Sequence, residues 1–229
     1  MERQVSTFDL VILDCDGVLV DSEVISNRVL AEAVTALGLP MTLEETIATF
    51  MGRSMAACVA ILEARLGRPI PSGWVDGFRD RTFEAFRREL RPVEGVEAAL
   101  DRITVPTCVA SSGPPEKIRT TLGVTGLLPR FDGRIFSADD VGRGKPHPDL
   151  FLHAASQMGA APARCAVVED SVFGVQAGVA AGMTVFGYAT LTDAAALTAA
   201  GARAFDTMAE LPRLLADPGA LSDCSPPRR

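Results

Sequence analysis

The sequence lacks the features of membrane and nucleic-acid-binding proteins. No run among its 229 residues approaches the roughly 18 consecutive apolar residues that span a bilayer. Its first residues lead into a short apolar segment rather than a charged end with a long apolar stretch, so we expect no signal peptide. The formal net charge of -7 argues against nucleic acid as a partner. Arginines concentrate only at 79–91, where a helical rhythm with apolar residues favours a solvated helix face over a polyanion site.

The chain also lacks paired cysteines. Its five cysteines are odd in number and show neither the close spacing of a zinc site nor that of a redox motif. Cys15, Cys108 and Cys165 lie within apolar, strand-like segments, where cysteine usually behaves as a small buried hydrophobic residue. This pattern predicts a reducing, cytoplasmic environment.

Two aspartates, Asp14 and Asp16, directly follow the apolar run at 8–13. Side chains alternate between the faces of a strand, so both carboxylates would point the same way if the strand continued. Like charges so close together repel unless a cation or a shared proton intervenes. The pair is therefore a candidate metal site, and also a candidate nucleophile with its general acid. The alternative is a helix cap or turn aspartate followed by the Gly17 turn.

Short apolar runs alternate with helical patterns from about residue 94 onward. This rhythm predicts an α/β fold in which a doubly wound, Rossmann-like parallel sheet is covered on both faces, with the functional loops at the carboxyl ends of its strands. The predicted strands are 8–13, 105–110, 134–137, 165–168 and 183–187. The predicted helices of this part are 115–122, 149–158, 172–181 and 194–200.

A stretch without strand signals interrupts this rhythm at 21–91. It contains helical patterns at 25–37, 55–66 and 74–90, separated by glycine and proline turn signals. We interpret it as an all-helical domain inserted after the first strand, where it would act as a lid over the site. The predicted core then consists of 1–20 and 92–229, and 218–229 is predicted to be a flexible tail.

Three further strand ends carry polar residues. Ser111, Ser112 and Gly113 end one strand, where a hydroxyl and backbone N–H groups ahead of a helix suit a phosphate oxygen, although an ordinary helix entry has the same pattern. Lys145 lies in a proline-stiffened loop and is one of only two lysines, the other being Lys117. Glu169 and Asp170 end the strand at 165–168. Four carboxylates around one crevice require a divalent cation, and oxygen-only ligands suit Mg²⁺.

The ordered set of Asp14-x-Asp16-Gly17-Val18, Ser111, Lys145-Pro146 and Glu169-Asp170-Ser171 resembles the four-motif signature of the haloacid dehalogenase superfamily. The helical insert resembles the cap of the subgroup that contains β-phosphoglucomutase and phosphoglycolate phosphatase. The runs at 14–22, 111–114 and 174–182 are most similar to the 6-phosphogluconate phosphatase branch.

The resemblance implies a role for each motif residue. Asp14 would be the nucleophile that takes the phosphoryl group, and Asp16 would protonate the leaving oxygen and then deprotonate water. Mg²⁺ would bind the Asp14 carboxylate, the Asp16 carbonyl and Asp170, with Glu169 reaching it directly or through water. Ser111 and Lys145 would hold the transferring phosphoryl oxygens.

Single residues separate the chemistries of this family. Asp16 argues against a dehalogenase, which works without it, and the absence of lysine from 21–91 argues against a Schiff-base route. β-Phosphoglucomutases carry a histidine near the position of Ser26 and a lysine later in the cap, and both are missing here. We therefore expect a Mg²⁺-dependent phosphomonoester hydrolase acting on a small phosphorylated sugar or sugar acid, with a sugar phosphomutase as the alternative. A phosphoryl-switched receiver domain fits less well because of the second aspartate, the inserted helical cap and the length of the chain. A silent sugar-phosphate binder fits less well because every catalytic position is filled.

Arg53 is the main substrate-binding candidate in the helical insert, and Asn27 and Arg28 are weaker ones. Arg53 follows a glycine in a loop that approaches the crevice in this family, so it is a candidate ligand for a second anionic group, with a solvent-exposed arginine as the equal alternative. The expected partner is a small-molecule phosphate ester, with neither nucleic acid nor membrane as a partner. We expect the protein to be a monomer.

Overall fold

A six-stranded parallel sheet forms the centre of the protein, in a computed structural model that describes residues 7–50, 53 and 55–217. The strand order is β3-β2-β1-β4-β5-β6, and every pair is parallel. The strands are β1 (Leu10–Leu13), β2 (Thr107–Ser111), β3 (Ile135–Ser137), β4 (Cys165–Glu169), β5 (Thr184–Tyr188) and β6 (Arg203–Phe205). The chain winds from β1 to one edge and then from β4 to the other, so the winding reverses between β1 and β4. Ligand crevices form at such a switch point, outside the carboxyl ends of the strands.

Helices cover both faces of this sheet, which confirms the predicted fold class. They are α5 (Val96–Arg102), α6 (Pro115–Val124), α7 (Asp149–Gln157), α8 (Val172–Ala180), α9 (Ala194–Ala199) and α10 (Leu211–Ala216). Short 3-10 helices lie at Leu128–Phe131, Ala138–Asp140 and Pro162–Arg164. Strand β1 is buried on both faces: Val11 and Leu13 belong to one apolar cluster, and Leu10 and Ile12 to the other. Cys15, Cys108 and Cys165 are buried, as predicted, and so is Cys58.

Four helices lie between β1 and α5: α1 (Ser22–Ala36), α2 (Leu43–Phe50), α3 (Met55–Leu66) and α4 (Trp74–Glu89). The described residues of this stretch contain no strand, as predicted, and they build their own apolar cluster around side chains such as Leu62 and Phe78. Helix α1 begins at Ser22, three residues before the predicted start, and α2 was not predicted at all.

The chain leaves the sheet and returns to it at one place. The amide of Asp21 donates to the carbonyl of Arg91 at 3.1 Å, and the amide of Val93 donates to the carbonyl of Leu19 at 3.0 Å. This crossing supports our proposal that residues 21–91 form a separate cap. The predicted flexible tail at 218–229 lies outside the described residues.

No single helix of the described residues is long and apolar enough to cross a bilayer. Helices α2 and α3, which are bent by 118° relative to one another, pass that test of length and composition only when they are taken together.

Candidate active site

The chain turns sharply after β1 and separates the two aspartates. The amide of Asp14 still donates to the carbonyl of Val168 at 3.0 Å, which aligns Asp14 with β4. The next residues form a tight turn in which Gly17 has a φ of 78°. A Cβ atom on Gly17 would lie 2.0 Å from Oδ2 of Asp170, so a glycine is needed here for both the conformation and the close approach.

Three buried carboxylates meet at the carboxyl ends of β1 and β4. Asp14, Glu169 and Asp170 each offer an oxygen, and these oxygens lie within 4.8 Å of one another; we call this group the acidic cluster. Burial, followed by the charge of Glu169, raises the pKa of Asp170 well above its usual value. Burial also raises the pKa of Asp14 to about 7, although the charge of Lys145 opposes the shift. The acidic cluster therefore holds more negative charge than its surroundings stabilise.

Lys145 supplies a positive charge to the acidic cluster. Its Nζ lies 2.6 Å from Oδ1 of Asp14, 2.5 Å from Oε1 of Glu169 and 3.2 Å from the carbonyl oxygen of Ala110. Burial by itself would lower the pKa of Lys145, but the two carboxylates outweigh it and the net shift is upward. The side chain is only 6% exposed, so this lysine is a fixed, charged part of the site.

Glu169 is held by donors on both of its oxygens. Oε1 accepts from Lys145, and Oε2 accepts from the amide of Asp170 at 3.1 Å and from the amide and hydroxyl of Ser171 at 3.1 and 2.9 Å. The Ser171 hydroxyl in turn caps α8 by accepting from the amide of Gly174 at 3.1 Å. A Cβ atom on Gly174 would lie 1.9 Å from the Glu169 carboxyl group, so this helix start leaves room only for glycine.

The acidic cluster fits a divalent cation. Three buried carboxylates lie close together, and Lys145 contacts two of them, Asp14 and Glu169. Buried carboxylates that outnumber the positive charges beside them are costly unless a cation neutralises them. All the side-chain ligands are oxygen atoms, which is the donor set of hard cations. Because both oxygens of Glu169 are already engaged, Asp14 and Asp170 are the carboxylates best placed to bind a metal directly.

The Asp16 carboxylate lies outside the acidic cluster. The acidic cluster has three members, and the Asp16 carboxylate is bound elsewhere. Its Oδ2 lies 2.9 Å from Nζ of Lys117 on α6, and its Oδ1 accepts a hydrogen bond from the hydroxyl of Ser22, the first residue of α1. Burial tends to raise the pKa of Asp16, but Lys117 and Ser22 hold it below its usual value. Strand β1 ends at Leu13, so the strand alternation that would point Asp14 and Asp16 the same way stops before Asp16.

The loop after β2 lies at the same edge of the sheet. Ser111 is buried at the end of β2, and its hydroxyl oxygen accepts from the amide of Gly113 at 3.1 Å. The carbonyl of Gly113 accepts from the hydroxyl of Ser137 at 2.7 Å, which fixes the loop from the other side. Ser112 is exposed. The Gly113 amide is thus engaged within the loop rather than free for substrate, while the Ser111 hydroxyl still has a proton to donate.

Arg53 makes no hydrogen bond or ion pair to these site residues within the described part of the chain. It is exposed in the connection between α2 and α3, and its Nε donates to the carbonyl of Thr49 at 2.8 Å. The neighbouring residues 51, 52 and 54 lie outside the described part of the chain.

Three residues near Asp16 could not be predicted as part of the site: Ser22, Glu23 and Lys117. Ser22 and Glu23 follow the aspartate pair in the first turn of α1, and burial followed by the charge of Asp16 raises the pKa of Glu23. The only sequence signal for Lys117 is that it is one of two lysines in the chain. Its pairing with Asp16 joins residues 101 positions apart and depends on how α6 packs on the sheet.

Comparisons with known proteins agree with this geometry. The sequence matches the haloacid dehalogenase-like hydrolase family over residues 8–182. It is 36% identical over 182 residues to 6-phosphogluconate phosphatase of Escherichia coli, covering 79% of this chain and 82% of that protein.

Two solved structures have a similar fold. A haloacid dehalogenase-like protein of Agrobacterium tumefaciens is 38% identical with a TM-score of 0.82, covering 91% of this chain and 98% of the other. A hydrolase of the same family from Deinococcus radiodurans, with bound phosphate and sodium, is 36% identical with a TM-score of 0.76, covering 90% and 94%.

Proposed function

Since the chain belongs to the haloacid dehalogenase-like hydrolases, we propose that it hydrolyses the phosphate ester of a small sugar or sugar acid, with Mg²⁺ as its cation and Asp14 as its nucleophile. The observation that carries this proposal is the buried Asp14 carboxylate at the switch point of the sheet, with Lys145 on one oxygen and Asp170 beside it. A single carboxylate held in this way is suited to in-line attack on phosphorus.

The first half of the reaction transfers the phosphoryl group to the enzyme. An oxygen of Asp14 attacks phosphorus, and the bond from phosphorus to the ester oxygen breaks. Asp16, in its protonated form, gives its proton to the leaving oxygen, which departs as the sugar hydroxyl. General acid catalysis of this kind contributes roughly 10²- to 10⁴-fold in rate.

The second half releases phosphate. Asp16, now ionised, takes a proton from a water molecule as the water oxygen attacks phosphorus. The bond from phosphorus to Asp14 breaks, which frees inorganic phosphate and restores the Asp14 carboxylate. Asp16 ends protonated and is ready for the next ester. Its ionised form, which Lys117 stabilises, is the form that this second half requires.

The carboxylates of Asp14 and Asp170 and the main-chain carbonyl of Asp16 would hold Mg²⁺, with Glu169 acting through water because both of its oxygens are engaged. When bound, the cation neutralises charge on the phosphoryl oxygens and on the carboxylates. Lys145 adds a fixed positive charge beside Asp14, and the Ser111 hydroxyl is a donor for a phosphoryl oxygen. Glu169 also has a positioning role, because it holds Lys145 in place.

The substrate class follows from similarity to a relative that is named 6-phosphogluconate phosphatase. A sugar acid carries a second negative charge, and we propose Arg53 as its ligand. The exposed guanidinium of Arg53 is free to turn toward the crevice if its hydrogen bond to Thr49 is exchanged for one to substrate. Ser112 and Gly113 are proposed to line the same crevice.

The experiment that tests this function is phosphate release from a panel of sugar phosphates and phosphorylated sugar acids, with Mg²⁺ and with a chelator. We expect Mg²⁺-dependent release that falls to background in Asp14→Asn. Asp9→Asn is the matched control, because Asp9 lies before β1 and pairs with Arg164 at the surface. Release by Asp14→Asn at the wild-type rate would refute the nucleophile assignment. Interconversion of glucose 1- and 6-phosphates without release would instead identify a phosphomutase.

We also propose a cytoplasmic enzyme that acts as a monomer. The cysteines of the described residues, Cys15, Cys58, Cys108 and Cys165, are free and buried, which suits a reducing compartment. Light scattering coupled to gel filtration measures the mass directly, and a value near the 24.2 kDa of one chain is expected.

A further inference from the structure

Lys117 enters the reaction above only as the charge that stabilises ionised Asp16, and it is one of only two lysines in the chain. It lies in the first turn of α6, on the sheet side of the crevice, and its Nζ is 2.9 Å from Oδ2 of Asp16. Its side chain is 24% exposed, so it is partly withdrawn from solvent. Surface lysines that pair by chance are more exposed than this and contribute little.

The path of the Lys117 side chain is constrained by the loop after β2. A Cβ atom on Gly113 would lie 3.3 Å from Cδ of Lys117, so the aliphatic stem passes closely over this glycine. The helix and the loop together direct the ammonium group toward Asp16. The loop that begins at Ser111 is thereby connected to Asp16 by one side chain.

The positive charge of Lys117 also compensates the negative charges of two acids, Asp16 and Glu23. Burial alone would lower the pKa of Lys117, but the charges of Asp16 and Glu23 raise it, so the group stays protonated. Burial, and next the charge of Asp16, raise the pKa of Glu23, so the two carboxylates lie close enough to interact. Without Lys117, this interaction between like charges would be uncompensated, and Ser22 would be the side chain that still holds Asp16.

We propose that Lys117 is a positioning residue for Asp16. It holds one carboxylate oxygen from helix α6 of the core, while Ser22 holds the other from helix α1. The acid and base of the reaction is thus kept at a defined distance from the phosphoryl site even if the helices of the cap shift. This inference rests on the function proposed above, because it assigns Lys117 to the proton transfers of that reaction.

The proposal is tested by how the rate loss in a Lys117 variant depends on the leaving group of the substrate. If Lys117 had only a structural role, the loss would be the same for all leaving groups. A sugar hydroxyl is a poor leaving group and needs a proton from Asp16, whereas the nitrophenolate of p-nitrophenyl phosphate leaves with little help. We expect Lys117→Met to lower kcat for 6-phosphogluconate about 10- to 100-fold, which is part of the contribution of general acid catalysis. For p-nitrophenyl phosphate, transfer to Asp14 is expected to slow by less than about 3-fold in a single-turnover measurement, which isolates the first half of the reaction.

Three further variants complete the design. Lys117→Arg keeps the charge and is expected to recover most of the rate on 6-phosphogluconate. Arg119→Met removes one positive charge from the exposed side of the same helix and is expected to keep wild-type rates. The double variant Asp16→Asn with Lys117→Met is expected to be no slower than Asp16→Asn alone, because two residues that act as a unit are not additive.

Equal losses on both substrates would overturn the proposal, since they would mean that Lys117 acts on the phosphoryl group itself. Unchanged rates of Lys117→Met on both substrates would also overturn the proposal, because the pair of Lys117 and Asp16 would then have no role in the reaction. A wild-type protein that releases phosphate from neither substrate, nor from the sugar-phosphate panel, would refute the proposed function and the positioning role with it. The substrate pattern therefore separates failure of this inference from failure of the function.

Discussion

Gly174→Ala is the perturbation that most sharply tests the packing of the site. Gly174 lies in the first turn of α8, and a Cβ atom there would lie 1.9 Å from Oε1 of Glu169. The Glu169 carboxyl group would have to move. Its contact with Lys145 at 2.5 Å and its contact with the Ser171 hydroxyl at 2.9 Å would then both be lost or weakened.

The expected magnitude follows from two opposing effects. In a helix, alanine is more favourable than glycine by about 1 kcal/mol. Breaking a buried ion pair costs about 3–5 kcal/mol. Glu169 is 1% exposed, so the larger effect applies without a discount for solvent screening. We therefore expect Gly174→Ala to lower the free energy of unfolding by about 2–4 kcal/mol, and to lower kcat because Lys145 loses one of its two carboxylate partners.

The assay is urea unfolding combined with Mg²⁺-dependent phosphate release. Gly77→Ala is the matched control, because Gly77 also lies near the start of a helix, α4, and no atom lies within 4 Å of the position where its Cβ would be. That variant is expected to be slightly stabilised, with wild-type turnover. If Gly174→Ala behaved like Gly77→Ala in both measurements, Glu169 would not pack as described, and the reasoning would be refuted.

Three further results are expected. Gly17→Ala should abolish turnover, because the added Cβ would lie 2.0 Å from Asp170. Gly38 also has a positive φ but has open space around it, so Gly38→Ala should lose only about 1–2 kcal/mol of stability and keep its activity. Lys145→Met should lower the free energy of unfolding at pH 7 by about 3–5 kcal/mol, because two buried carboxylates lose their counter-charge; unchanged urea curves would contradict this. Mg²⁺ at 100 times its Kd should stabilise the wild type by about 2.7 kcal/mol, which is measured as a higher thermal midpoint than in chelator. Asp170→Asn should lose most of that increase in midpoint. Equal increases in both proteins would exclude the acidic cluster as the site.

The parts of the fold that could be predicted are those with strong local patterns. Strands β1, β2, β4 and β5 are apolar runs bounded by turns, and the helices α6 to α9 have clear helical spacing. The missed elements are short. Strand β6 has three residues at the edge of the sheet, α10 has six, α5 has seven and α2 has eight. Elements of this length are stabilised by contacts with their neighbours, which a local pattern does not contain.

The candidate site divides in a similar way. Asp14, Ser111, Lys145, Glu169 and Asp170 could be predicted to converge, because the carboxyl ends of parallel strands share one edge of the sheet. The pairing of Asp16 with Lys117 and Ser22 could not, because it depends on the turn at Gly17 and on how two helices pack. Gly174 was also missed, since its need for a hydrogen at Cα arises from Glu169 folding back over α8. Long-range packing, rather than residue type, decided these contacts.

The most direct test of the central claim is to trap the phosphoryl group on Asp14. Wild-type protein is mixed with a phosphoryl-labelled sugar phosphate and Mg²⁺, quenched in acid within one turnover, digested, and analysed for label by mass. We predict a labelled peptide that contains Asp14, loss of that label in hydroxylamine, and no labelled peptide in Asp14→Asn. Phosphate release that proceeds with no labelled peptide, or with label on another residue, would contradict the assignment of Asp14 as the nucleophile.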